Sequence, residues 1–307
     1  MSKFLFVSIC VYLWFHYLME RVFTIAKPEN PLPLVFDSPH SGNIYPPDFK
    51  PAASTTDLAY AEDSYVGDLF SSAPDHGAAL LCALFPRSYI DVNRAVDDID
   101  PLLLAEPYPN AMPSSRSTAG IGLIRRLLKP GVPLYDRTLS SAEIQNRIET
   151  YYRPYHKALD ELIETAHYNF GRVYHINCHS MPNSTAFPKQ TRGMLGHTQV
   201  ASDFVIGNRD GTTCDATFLH ALYDHLRHAG FRVTINDPFK GVEIVQRHGQ
   251  PTRGRHSLQI EVNKSLYMNE ETGEKSNDYD AFKNQIKKLV SFCAAYTNAQ
   301  LRDLAAD

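Results

Sequence analysis

The stretch RVYHINCHSMPNS, residues 172–184, decides how the rest of the chain is read. Val173, Tyr174 and Ile176 belong to a short apolar run with β propensity, and the run closes on Asn177, Cys178, His179 and Ser180 before Pro182 ends it. A short apolar run of this kind reads as a strand buried on both faces, as in a parallel sheet. Its polar end then presents an amide, a thiol and an imidazole where a sheet of that type collects its ligands.

Working outward, residues 140–170 open with Ser140 and carry Glu143 three positions later, the pattern of a capping box, and continue with helical spacing in which Pro154 is expected to kink or split the helix. Downstream, FVIGNRDG reads as strand and turn, CDATFLHALYDHLRHAG as a helix stopped by Gly230, FRVTIND and HSLQIEVNKSLY as strands, and about 280–304 as a last helix. Upstream, PLPLVFDSPHSG reads as a short strand closed by turn residues. DSYVGDLFSSAP (63–74) reads as a helix with an acidic start, and GAALLCALFPRSYIDVNR (77–94) as one or two strands ending in a polar cluster. Residues 95–137, rich in proline and glycine, predict a long loop with short ordered pieces, a length that is often functional. Alternating strands and helices predict an α/β fold: a single three-layer α/β/α domain around a mostly parallel, mixed, twisted sheet.

The chain has 307 residues, 43% apolar and 21% charged, with a formal net charge of −4 and a pI near 6.3. No basic face or charge run recruits nucleic acid, so a small solute is the expected partner. Five dispersed cysteines (Cys10, Cys82, Cys178, Cys214, Cys293) form neither a disulfide framework nor a C-x-x-C pair, which fits a reducing cytoplasm. Residues 4–19 are an apolar run, slightly short for a membrane span and without a following A-x-A cleavage site. Three readings stand: a mis-assigned start with translation beginning at Met19, a signal or anchor, or a packing helix. In each, residues 20–307 are the functional domain, a monomer or small homo-oligomer with a membrane role not expected.

Four groups of chemical interest fall at or within the expected strands: His40 in SPHSG, Asn93 and Arg94 in DVNR, His179 in NCHS, and Glu261 in QIEVN. Each is weak alone, since the chain has 13 histidines and a lone one is usually structural. Strand ends of one parallel sheet converge, however. Two histidines and a carboxylate make a hydrolytic metal site, and a further carboxylate such as Glu261 can take a proton from water. An arginine beside an asparagine offers a fork of donors to a substrate carboxylate. A thiol amidase built on Cys178 and His179 is a poorer reading, because adjacent strand residues point to opposite faces.

FDSPHSGNIYPPDF, EDSYVGDLF, FPRSYIDVNR, YYRPYHKAL, NCHSMP, GNRDGTTCD, NDPFKGVEIVQRHGQP and HSLQIEVNKSLYM, in that order, resemble the N-formylglutamate amidohydrolases, a family similar at a distance to zinc carboxypeptidases and aspartoacylases. The resemblance covers almost everything from Leu34 to Met268 and implies a sheet of the phosphorylase/hydrolase-like kind. It implies His40, His179 and Asp63, rather than Glu62, as ligands of a divalent metal, Zn with Co as the alternative. It further implies Asn93 and Arg94 as the substrate-carboxylate pair, Arg87 as a second cation that can stabilise the oxyanion, and Glu261 as the base. The implied reaction is hydrolysis of N-formyl-L-glutamate to formate and L-glutamate, a late step of histidine degradation. The alternatives are a deacylase of another N-acyl amino acid and a non-catalytic binding protein. Departures from the family pattern are Asn177 where an aspartate is usual, Val242 where a second glycine is usual, and a different loop over 120–131.

Overall fold

The structure, a computed structural model, describes residues 22–189 and 200–304. The apolar run at 4–19 lies outside the described residues. The strands in chain order are β1 (Phe23–Ala26), β2 (Leu34–Ser38), β3 (Ala79–Ala83), β4 (Leu127–Lys129), β5 (Val132–Pro133), β6 (Val173–Met181), β7 (Phe204–Gly207), β8 (Val233–Ile235) and β9 (Arg255–Asn263). Among the described residues β4 and β5 form a small hairpin, and the other seven strands form one sheet in the order β1-β3-β2-β6-β9-β7-β8. The central strands β3, β2, β6 and β9 are parallel. At one edge β1 is antiparallel to β3; at the other, β7 is antiparallel to β9 and parallel to β8. This is the mostly parallel, mixed sheet expected, with helices packed on it.

Period-two alternation along β2, β6 and β9 explains why these strands are buried on both faces and yet carry polar residues. On one face Phe36, Tyr174, Ile176, Cys178, Leu258, Ile260 and Val262 pack with Phe218 and Leu222 of helix Ala216–His228 and with Ile286 and Leu289 of helix Tyr279–Leu304. Each Leu or Ile buried there contributes roughly 1.5–3 kcal/mol. On the other face Val35 and Val173 pack against Leu159 and Ile163 of helix Arg153–Phe170. That face continues as Asp37, His175, Asn177, His179, Ser257, Gln259 and Glu261, all buried.

Buried polar groups must be hydrogen-bonded, and here they bond to one another. Asp37 accepts from His175 Nε2 (2.8 Å), Asn177 Nδ2 (2.8 Å) and Tyr155 OH (2.7 Å), while His175 Nδ1 meets Ser257 Oγ at 2.8 Å. Burial opposes the Asp37 charge, but these partners hold its carboxyl below the usual range. Asp37→Ala orphans three buried donors, each worth roughly 1–3 kcal/mol. We expect the unfolding free energy to fall by at least about 3 kcal/mol, read from the denaturant midpoint. A loss under about 1 kcal/mol would show that the network is not structurally required.

Local sequence signals were met at most positions and overridden at 63–74. The capping box forms, with Ser140 Oγ accepting from Glu143 N and the Glu143 carboxylate accepting from Ser140 N. Pro154 divides the helix as expected: a π turn over Ile148–Tyr152 separates Ser141–Arg147 from Arg153–Phe170, so the proline stands in the first turn of the second segment and the irregular turn before it accommodates its missing N–H. The helix expected over 63–74 shrinks to Val66–Leu69 and a 3-10 turn at Pro74–His76. Asp63 is held outside it by a hydrogen bond from its N–H to His40 O (3.0 Å), and Tyr65, at φ 66°, turns the chain before the helix begins. Residues 95–137 form the expected loop with short pieces, a 3-10 turn at Pro101–Leu103 and a helical turn at Ser115–Thr118. Leu103, Leu123, Ile124, Leu128 and Leu134 pin this loop to the core.

Candidate active site

Parallel strands ending side by side bring distant residues together. His40 follows β2 by two residues, and His179, near the end of β6, is in register with Glu261 on β9. The His40 carbonyl captures the Asp63 N–H and so draws the third group in. One ligand atom from each of His40, Asp63 and His179 lies within 4.8 Å of the others, and all three residues are buried.

The imidazoles are oriented from behind. His40 Nε2 contacts Asp91 Oδ1 at 2.7 Å, and His179 Nε2 contacts Asn177 Oδ1 at 2.6 Å. The Asn177 amide is itself fixed, because its Nδ2 donates to Asp37 Oδ1. Its oxygen therefore faces His179 and accepts the Nε2 proton. Both Nε2 atoms thus being donors, both Nδ1 lone pairs face Asp63 Oδ2, His179 Nδ1 at 2.9 Å and His40 Nδ1 at 3.4 Å. His40 Nδ1 is buried and has no hydrogen-bond partner. Two inward imidazole nitrogens, one of them orphaned, and a carboxylate oxygen fit a divalent cation, with the backing partners such ligands usually have. Asn177, standing where an aspartate is usual in the resemblance, still bridges His179 to a carboxylate, that of Asp37.

Electrostatics agree with the geometry. Burial opposes ionisation of Asp63 and Asp91, yet the Arg87 charge above all holds Asp63 well below the usual carboxylate range, and His40, Arg87 and Arg94 do the same for Asp91. Burial pushes His179 down, toward the neutral form a ligand needs. Glu261, 8% exposed, is pushed well above the usual range by burial and then by the Asp63 charge. Gln259 Nε2 holds its Oε1 at 2.8 Å. Glu62 faces elsewhere: its carboxylate is bonded to the Tyr45 hydroxyl, and Lys264 Nζ donates to its carbonyl at 2.6 Å.

A cavity of about 580 Å³ opens over this cluster, lined by Asp63, His179 and Glu261 and by Arg87, Asn93 and Arg94. Arg87 bonds Asp91 Oδ2 through Nη2 (2.9 Å) and reaches Asp63 Oδ1 at 3.4 Å. The Asn93 amide is bonded at both ends, Oδ1 accepting from Ile244 N (3.0 Å) and Nδ2 donating to Asn177 Oδ1 (3.5 Å), the oxygen that also accepts from His179 Nε2. Arg94 donates to the carbonyls of Ile121 (3.0 Å) and Asn93 (2.8 Å). All seven singled-out residues except His40 border the cavity; His40 stands behind it, its ring 4.7 Å from that of His179. Arg116, Arg125, Lys189, Arg209, Lys240 and Lys264 add further positive charge to the lining. In a chain of net charge −4 this marks the cavity for an anion.

Cys178 points into the apolar core, 0% exposed, and burial pushes its thiol well above the usual range, so it is no nucleophile in this arrangement. The sequence reading missed four supporting residues: Asp91 behind His40, Asp37 behind Asn177, Gln259 beside Glu261, and Arg125. Period-two spacing from Glu261 and from Asn177 to His179 was the signal that marks Gln259 and Asn177 as facing the same way; nothing local marks Asp37. A second trio, buried Cys214 and His256 with half-buried Asp215, lies by the start of β9, where Asp215 caps helix Ala216–His228 and pairs with His256 at 3.0 Å.

Residues 32–268 match the family model described as N-formylglutamate amidohydrolase. The chain is 29% identical over 260 residues to an N-formylglutamate deformylase of Pseudomonas putida, covering 82% of this chain and 87% of the relative, and 29% identical to one from Pseudomonas aeruginosa, covering 82% and 88%. Among solved structures, an N-formylglutamate amidohydrolase from Ralstonia eutropha JMP134 is 42% identical with a TM-score of 0.85, covering 91% of this chain and 99% of that one. A gene product from Agrobacterium tumefaciens, at 16% identity and a TM-score of 0.61 over 90% and 96%, shares the fold. With the match extending over most of its length, the chain belongs to the N-formylglutamate amidohydrolase family.

Proposed function

We infer that the chain hydrolyses the formyl amide of N-formyl-L-glutamate, releasing formate and L-glutamate, with His40, Asp63 and His179 holding a divalent metal. The observation that carries this reading is the convergence of His40 Nδ1, Asp63 Oδ2 and His179 Nδ1 beside Glu261 in a cationic cavity. Two nitrogens and one oxygen suit Zn, or Co as its substitute. Such an ion supplies Lewis acidity, lowering the pKa of water toward neutrality and polarising the carbonyl.

The chain's own groups do the rest. Glu261, with Oε1 tethered by Gln259, takes the proton of the attacking water and hands it to the amide nitrogen as the carbon–nitrogen bond breaks. Arg87, fixed by Asp63 and Asp91, places a positive charge beside the developing oxyanion. The substrate carboxylate is received on the Asn93–Arg94 side of the cavity. In organisms that degrade histidine through formylglutamate this is a late step. The four described cysteines are free, which supports a reducing, cytoplasmic setting. No helix among the described residues is long and apolar enough to cross a membrane.

The direct test loads the purified protein with Zn or Co and measures formate released from formylglutamate and a panel of other N-acyl amino acids. Activity removed by a chelator and untouched by thiol alkylation is the expected result; turnover of another acyl amino acid alone would reassign the substrate. For the third ligand, Asp63→Ala is expected to bind less metal than Glu62→Ala, since only the Asp63 carboxylate faces both imidazoles. The opposite order would move that ligand to Glu62.

A further inference from the structure

Buried guanidinium groups in the cavity differ in what they are bonded to. Arg87 is held by Asp63 and Asp91, and Arg94 directs Nε and Nη1 to the carbonyls of Ile121 and Asn93. Arg125, 9% exposed and also lining the cavity, is different: its Nε is buried without a hydrogen-bond partner, and no carboxylate among the described residues lies within ion-pair distance of it. An unpaired buried cation is unfavourable unless something compensates it.

The chain nevertheless fixes Arg125 firmly. Asp91 N donates to Leu123 O (2.8 Å), Leu123 N donates to Asp98 O (2.8 Å), and Arg94 Nε holds Ile121 O. Leu123 and Ile124, beside it, are sealed in the core. A Cβ at Gly122 would lie 2.5 Å from Asp98 O, so the loop packs tightly against the segment that carries Asp91, Asn93 and Arg94. A rigid, uncommitted guanidinium facing a cavity is built to take an anion in its fork.

We propose that Arg125 binds the α-carboxylate of the N-acyl amino acid, while Arg94 acts largely by clamping the loop that presents Arg125. This rests on the amidohydrolase reading above. Arg125 lines the cavity together with Asp63, Arg87, Arg94, His179 and Glu261, its reacting end. Of the two carboxylates of formylglutamate, the α-carboxylate is the one borne by the carbon attached to the amide nitrogen, and so lies next to the reacting bond. The side-chain carboxylate is left to cations on other segments, such as Lys189, Arg209 and Lys240.

The test compares wild type, Arg125→Ala, Arg125→Gln and Arg125→Lys on N-formyl-L-glutamate, N-formyl-L-glutamine and N-formyl-4-aminobutyrate, which lacks the α-carboxylate. Bound metal and melting temperature are measured alongside, and Arg125→Gln serves if the alanine variant does not fold. Truncating one member of a buried charged pair is worth at least ~30-fold. We expect kcat/KM to fall by at least that factor, and equally, on formylglutamate and formylglutamine, to change little on N-formyl-4-aminobutyrate, and to recover in part with lysine. An equal loss on all three substrates, a loss confined to formylglutamate, or no loss overturns the assignment. If the wild type cleaves none of them, the amidohydrolase reading fails separately. Calorimetric binding of formylglutamate against N-formyl-4-aminobutyrate then decides: a preference abolished by Arg125→Gln supports the assignment, and one retained overturns it.

Discussion

Glu261→Gln is expected to lower kcat on formylglutamate by about 10²–10⁴-fold, with bound metal and KM close to wild type. The carboxylate borders the cavity in register with His179, and its Oε1 is held by Gln259, so the substitution keeps shape and hydrogen-bonding capacity while removing the proton acceptor. An interaction that matters only in the transition state shows in kcat rather than in KM. Near-normal turnover in this variant would place the base elsewhere and sink the mechanism given above. A loss of metal together with activity would instead assign Glu261 to the metal site.

His40→Ala and His179→Ala are each expected to abolish bound metal and activity together, because a site of two nitrogens and one oxygen retains little affinity when a nitrogen is removed. Metal content by atomic emission and formate release read the two effects separately. The residues behind the ligands should behave differently. Asp91→Ala and Asn177→Ala leave all three ligand atoms in place but release an imidazole from its anchor, and such changes cost about 10–100-fold in metal affinity or activity. Normal metal stoichiometry in either histidine variant would remove that residue from the site. Equal metal loss in the anchor and ligand variants would mean that orientation, not ligation, is what the histidines supply.

Much of this was legible before any fold was known. The strand at 173–181, the capping box at Ser140, the helix stopped ahead of Gly230, and the loop over 95–137 all follow from local pattern, since each depends on residues a few positions apart. His40, Asn93, Arg94, His179 and Glu261 were singled out because polar residues at the ends of apolar parallel strands are where such sheets expose side chains. One local reading failed for a physical reason: the 63–74 segment has the composition of a continuous helix, but the His40 carbonyl takes the Asp63 N–H out of it, whereas Pro154 splits its helix at a π turn as its local chemistry predicts.

The sequence by itself determined which strands end on polar side chains and which of those, His40, Asn93, Arg94, His179 and Glu261, they present, because residue type, alternation and turn signals are properties of neighbours along the chain. Only the tertiary structure decided how they are used. That His179 turns Nδ1 inward depends on Asn177, whose amide is fixed by Asp37 from another strand, 140 positions away. That Arg94 faces carbonyls while Arg125 is left uncommitted depends on how the 120–126 loop packs against the DVNR segment. Such contacts join residues far apart in sequence, and a side chain's chemistry does not specify which distant partner will occupy its donors; packing of the folded chain does.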